Sequence, residues 1–249
     1  MDLPFDKKAA SEAKKQSAAW ARKRTGRKRD VIELVVGYGL IVTGLWMPRG
    51  PDAYFYWAAL IWVIATTWRA FPGWAALGLR EKGLLRSLWV VAAALGLCAV
   101  GLAIGGVFHS LNGPVTLSRV THRYWEYSIW ALVQEFLLLD YFLLRLCRVL
   151  PGSVSAVAVM AVLFATCHIP NPVLAPLTLA WGGIAGVVYL RYRNLYTLGL
   201  AHAILGICVA IAVPKVMTHN MRVGNGYLTY RVDHRNPNDS TTHNTFTGE

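Results

Sequence analysis

Apolar residues gather into seven long runs in this chain, at about 31–47, 53–71, 85–108, 125–150, 152–168, 173–191 and 194–214. A helix that crosses a bilayer needs about 20 such residues. Inside hydrocarbon a lone segment can satisfy its backbone hydrogen bonds only as a helix. The last three runs are separated only by short breaks at Pro170–Pro172 and Arg191–Asn194, so one compact membrane domain is expected rather than several. Of the 249 residues 55% are hydrophobic and only 15% charged, and the mean hydropathy is +0.39. Soluble domains carry about 25% charged residues. The expected fold class is all-α, a polytopic membrane helix bundle of about seven transmembrane helices, or eight. Three parts are expected: a basic segment over 1–30, a transmembrane domain over 31–214, and a polar segment over 215–249.

Charge orients such a bundle. Ten of the 25 Lys and Arg precede the first run, and residues 1–30 carry half of the net charge of +12. That segment is the reverse of an apolar signal core, so no cleavable signal is expected. Its positive charge predicts a cytoplasmic N-terminus that attracts anionic lipid. With seven spans, eighteen Lys and Arg fall on the inner side and seven on the outer. Nothing organises base contacts, so nucleic-acid binding is not expected. Cys98, Cys147, Cys167 and Cys208 lie in or beside apolar runs without a C-x-x-C pair and read as small apolar residues. Asn225-Gly226 carries the signature of a hairpin turn. Residues 232–249 read as a disordered tail, and His219, His234 and His243 as solvated.

Three ionisable residues stand inside the apolar runs. Glu135 lies in the fourth, with no basic residue at i±3 or i±4 to neutralise it. A carboxylate at mid-bilayer costs roughly 2.5–3.5 kcal/mol on insertion scales, so its partner must come from another span. His168 closes the fifth run just ahead of Pro170 and Pro172, which end that helix and bring Asn171 to the same mouth. His202 sits in the seventh run among small residues that admit a neighbouring helix. Each alone also has a plain structural reading, as a packing or capping residue. Together they read either as a glutamate base with histidines about a water, or as a zinc site with an open position. Gly182 and Gly186, at G-x-x-x-G spacing, read as a packing seam. Neither H-E-x-x-H nor G-x-S-x-G is present.

Read in order, these residues resemble the CPBP family, the CAAX prenyl endopeptidase and bacteriocin-processing group, over about residues 75–210. Ala76-Leu77-Gly78-Leu79-Arg80 looks like the family's lead-in segment, Glu135 like its catalytic glutamate, and Phe164 to His168 like its F-x-x-x-H motif. The glycine-rich stretch from Gly182, the turn at Arg191 to Tyr196, and Ala201-His202-Ala203 follow in the family's order. The resemblance implies a helical bundle with an internal cavity, in which a glutamate-activated water hydrolyses a peptide bond. Glu135 and His168 would then handle the water, and His202 would hold the oxyanion. It also implies a peptide or membrane-protein substrate and, with the composition, a bacterial inner membrane.

The chain departs from the family's E-E-x-x-x-R motif. Phe136 stands at the second glutamate and Asp140 at the arginine. Gly206 stands where the last motif often has Asn or Asp, and Asn171 is the candidate to replace that amide. No cofactor is expected for the glutamate reading, whereas its rival requires zinc. A second rival is a non-catalytic subunit of a membrane complex with the same fold.

Overall fold

A computed structural model describes residues 26–230 apart from 72, 82, 114 and 115. Most of the basic segment, the tail after 230, His234 and His243 lie outside the described residues. Among those residues the regular structure is all helical. The elements are α1 (Arg27–Trp46), α2 (Pro51–Arg69), a 3-10 turn (Trp74–Leu77), α3 (Leu84–Val107) and α4 (Leu117–Glu135). A π-helical stretch, Phe136–Leu143, continues α4 into the short α5 (Leu144–Val149). Then come α6 (Ser153–Thr166), α7 (Leu174–Tyr192), α8 (Leu195–Ala212) and two one-turn helices, α9 (Lys215–Thr218) and α10 (Gly224–Leu228). Three helices, α3, α7 and α8, are long and apolar enough to cross a membrane.

Local chemistry sets the boundaries. Pro51 starts α2, where its missing N–H costs nothing. Asn194 caps α8, its side chain accepting from the Thr197 N–H. Gly83, just before α3, has φ 92°, and a Cβ there would meet the Tyr192 carbonyl at 2.7 Å. This close approach brings the turn into α3 up against the end of α7.

α8 is the central helix. It packs against α3 on one side and α4 on the other, while α6 pairs with α7 and α1 with α2. The expected glycine seam is a packing face: a Cβ at Gly182 would meet Ala161 Cα at 3.0 Å, and one at Gly186 would meet Met160 and Val157.

One end of the bundle is tied by buried ion pairs. Glu33 on α1 accepts from Arg29 at 2.9 Å, from Arg69 on α2 at 3.2 Å, and from Arg145 on α5 at 2.8 Å. The Arg145 guanidinium also lies 3.9 Å over the Tyr141 ring. Arg148 grips Asp30 with bonds of 2.9 and 3.1 Å. The opposite end is closed by the chain after α8. Asn171 donates to the carbonyls of Thr218 and Arg222 at 2.8 and 3.0 Å, and its own oxygen accepts from the N–H groups of Val173 and Leu174.

Two expectations fail here. Asn225-Gly226 lies within α10 and not at the tip of a β-hairpin. A hairpin needs two alternating strands, and this segment instead docks on the end of α1: the Gly224 N–H donates to the Ile169 carbonyl and Asn225 to that of Met47. His219 is not simply solvated. Its ring stacks on Tyr227 with centroids 3.8 Å apart, and its Nδ1 donates to the Tyr227 carbonyl at 2.9 Å.

Candidate active site

Glu135 is fully buried at the junction of α4 with the π-helical stretch. Such widened turns recur at functional sites. One carboxylate oxygen, Oε1, accepts from the Trp181 indole N–H on α7 at 2.5 Å and bonds His202 Nδ1 on α8 at 2.8 Å. The other, Oε2, is buried without a hydrogen-bond partner. The partner that Glu135 needed from another span is thus supplied by two helices.

His168 lies two residues beyond the last residue of α6, with its Nδ1 2.8 Å from the Phe164 carbonyl. Phe164 brings the two imidazoles to one place: its ring meets His168 at 4.8 Å and His202 at 5.9 Å, edge-on in both cases. A carbonyl only accepts, so His168 carries its proton on Nδ1. An ionised Glu135 imposes the same on His202. In their neutral forms both rings then present Nε2 as an acceptor.

Glu135, His168 and His202 therefore share one buried centre, and Asn171 does not join it. Both amide protons of Asn171 are donated and its oxygen accepts twice, all in holding the segment after α8. No donor remains on it for an oxyanion. Replacing Asn171 by Ala strands the buried Thr218 and Arg222 carbonyls, at about 1–3 kcal/mol. The expected outcome is faster hydrogen exchange over residues 215–230, with the geometry at Glu135 unchanged. His202, expected at the oxyanion, is bonded to Glu135 instead.

Asp140 is paired across helices. Its Oδ1 accepts from the Tyr189 hydroxyl on α7, while Arg145, its nearer candidate partner in sequence, bonds Glu33. The Arg193 guanidinium lies 5.1 Å over the same Tyr189 ring. Among the described residues, no group of three or more His, Cys, Asp or Glu could hold a metal ion.

Sequence reasoning missed Trp181. An indole in an apolar run looks like packing surface, and its N–H shows a role only when the partner is known. The one available signal was that a buried indole N–H must find an acceptor.

Fold and site together define a helical membrane protein whose buried carboxylate is held between an indole and an imidazole. The model of the Rce1-like family, type II CAAX prenyl endopeptidases, matches residues 127–208. That match supports membership of the CPBP family, and the matched stretch holds Glu135, His168, Trp181 and His202. The Ala76–Arg80 segment lies outside it. No curated protein and no solved structure matches the chain.

Proposed function

We propose that the chain is a divergent intramembrane endopeptidase that hydrolyses a peptide bond through a glutamate-activated water. The carrying observation is the state of Glu135: fully buried, fixed through Oε1, and left with one uncommitted oxygen. Asp140 too has one buried oxygen without a partner, so what singles out Glu135 is its bond to the His202 imidazole, with His168 across the Phe164 ring.

In this reading Oε2 accepts a proton from water as the water oxygen attacks the substrate's carbonyl carbon. His168 Nε2 accepts a hydrogen bond from the water's second O–H and so aims the lone pair. The tetrahedral intermediate collapses as the C–N bond breaks, and Glu135 returns the proton to the leaving nitrogen. The products are a carboxylate and an amine. Burial strengthens each of these electrostatic terms by excluding water. Trp181 and His202 hold the carboxylate in place. Replacing Trp181 by Phe removes a hydrogen bond to a charged group, about 1.5–3 kcal/mol. The expected result is a kcat lower by roughly 10- to 100-fold, read in a single-turnover cleavage assay.

The bundle is placed in a bacterial inner membrane with seven spans, the N-terminus cytoplasmic and near anionic lipid, and the end holding Glu33 and Asp30 inward. The substrate is a peptide or membrane protein, with prenylated C-terminal peptides as the first class to try. The test is cleavage of a peptide library by the protein in lipid, with Glu135→Gln as control. Phe136, Asp140 and Gly206 favour a second reading, a non-catalytic subunit of a membrane complex, which predicts no cleavage of any peptide.

A further inference from the structure

Hydrolysis at this centre needs a donor for the oxygen that becomes negative in the transition state, and the obvious donors are spent. The Trp181 N–H goes to Glu135 and the Asn171 amide to the segment after α8. His168 and His202 commit Nδ1 to the Phe164 carbonyl and to Glu135. The hydroxyls of Ser128 and Thr178 donate to carbonyls of their own helices.

One phenol is left. Tyr127 stands on α4 two turns before Glu135, and its hydroxyl is pressed against α8 at Gly206, one turn past His202. A side chain at 206 would overlap it: a Cβ there would lie 2.5 Å from Tyr127 Cζ and closer still to the hydroxyl. Glycine at 206 therefore makes room for this hydroxyl. Among the described residues Tyr127 has no hydrogen-bond partner. His202 and Gly206 are about 6 Å apart along the helix. Tyr127 and Glu135 on α4 thus meet Gly206 and His202 on neighbouring turns of α8.

We propose that Tyr127 is a catalytic residue, its O–H donating to the substrate's carbonyl oxygen as that oxygen becomes an oxyanion. The assignment rests on the endopeptidase reading. The phenol keeps its proton throughout, and the attacking water's proton still passes to Glu135. Tyr127→Phe keeps the ring in its place and removes only the donor.

The experiment compares wild type, Tyr127→Phe, Tyr127→Ala, Glu135→Gln and the double variant Tyr127→Ala, Gly206→Asn in liposomes, on one cleaved peptide. Loss of one oxyanion donor lowers kcat about 10²–10³-fold. The expected result for Tyr127→Phe is that loss with KM and melting temperature unchanged. The double variant, whose amide enters the same space, is expected to recover activity relative to Tyr127→Ala alone. That comparison also decides the matter if Tyr127→Phe does not fold. Wild-type kcat in folded Tyr127→Phe beside an inactive Glu135→Gln overturns the assignment and leaves the endopeptidase reading standing. No cleavage by wild type overturns both.

Discussion

Glu135→Gln is expected to lose about 10²–10⁴-fold in kcat, the usual contribution of a positioned general base. The amide has nearly the same shape, so Trp181 and His202 still have an oxygen to bind, and the helices stay where they are. The proton acceptor is what disappears. Melting temperature should fall little, because a neutral amide is easier to bury than a carboxylate. Activity and stability are thereby separated at one position. If the variant cleaves as fast as wild type, Glu135 is a helix-joining residue and another group activates the water.

The second large effect concerns stability, at the other end of the molecule. Glu33 is almost fully buried and holds three arginines from α1, α2 and α5. Arg69 is largely exposed, so its share is small. Arg145 is as buried as Glu33 itself, and removing its partner leaves a charge with no compensation. Such a break costs about 3–5 kcal/mol. Glu33→Ala should therefore lower the melting temperature sharply and loosen α1 from α5, as read by proteolysis of the reconstituted protein. Arg145→Met combined with Glu33→Leu should recover most of the loss, since an apolar replacement of a buried pair is often neutral. If the single variant melts like wild type, the pairing is incidental.

How much of this was legible in the sequence depends on what each residue has to do. Glu135, His168 and His202 stood out because an ionisable group in an apolar run is costly wherever its partner lies. The seven runs marked the helices, although α4 begins eight residues ahead of the expected 125. What lay hidden were pairings over long sequence distances. Asn171 looked like a site residue beside His168, but its carbonyl partners come 47 and 51 residues later. Nothing in the sequence near Glu33 and Asp30 marks them as buried, because Arg145 and Arg148 follow more than 100 residues on. The π-helical stretch left no trace, since FLLLDYFL is apolar on every side and shows no period. Trp181 and Tyr127 were masked by their own apolar bodies. The Asn-Gly signal at 225 was a true sign of tight backbone and a false sign of strands.

The central claim, that Glu135 activates a water to cut a peptide bond without a metal, is tested most directly in oxygen-labelled water. The protein in liposomes is given a library that includes prenylated C-terminal peptides, and the products are weighed by mass spectrometry with and without a zinc chelator. The expected result is a discrete cut with one labelled oxygen in the new carboxyl group, unchanged by the chelator. Absence of any cut, or a cut abolished by the chelator and restored by zinc, would contradict it.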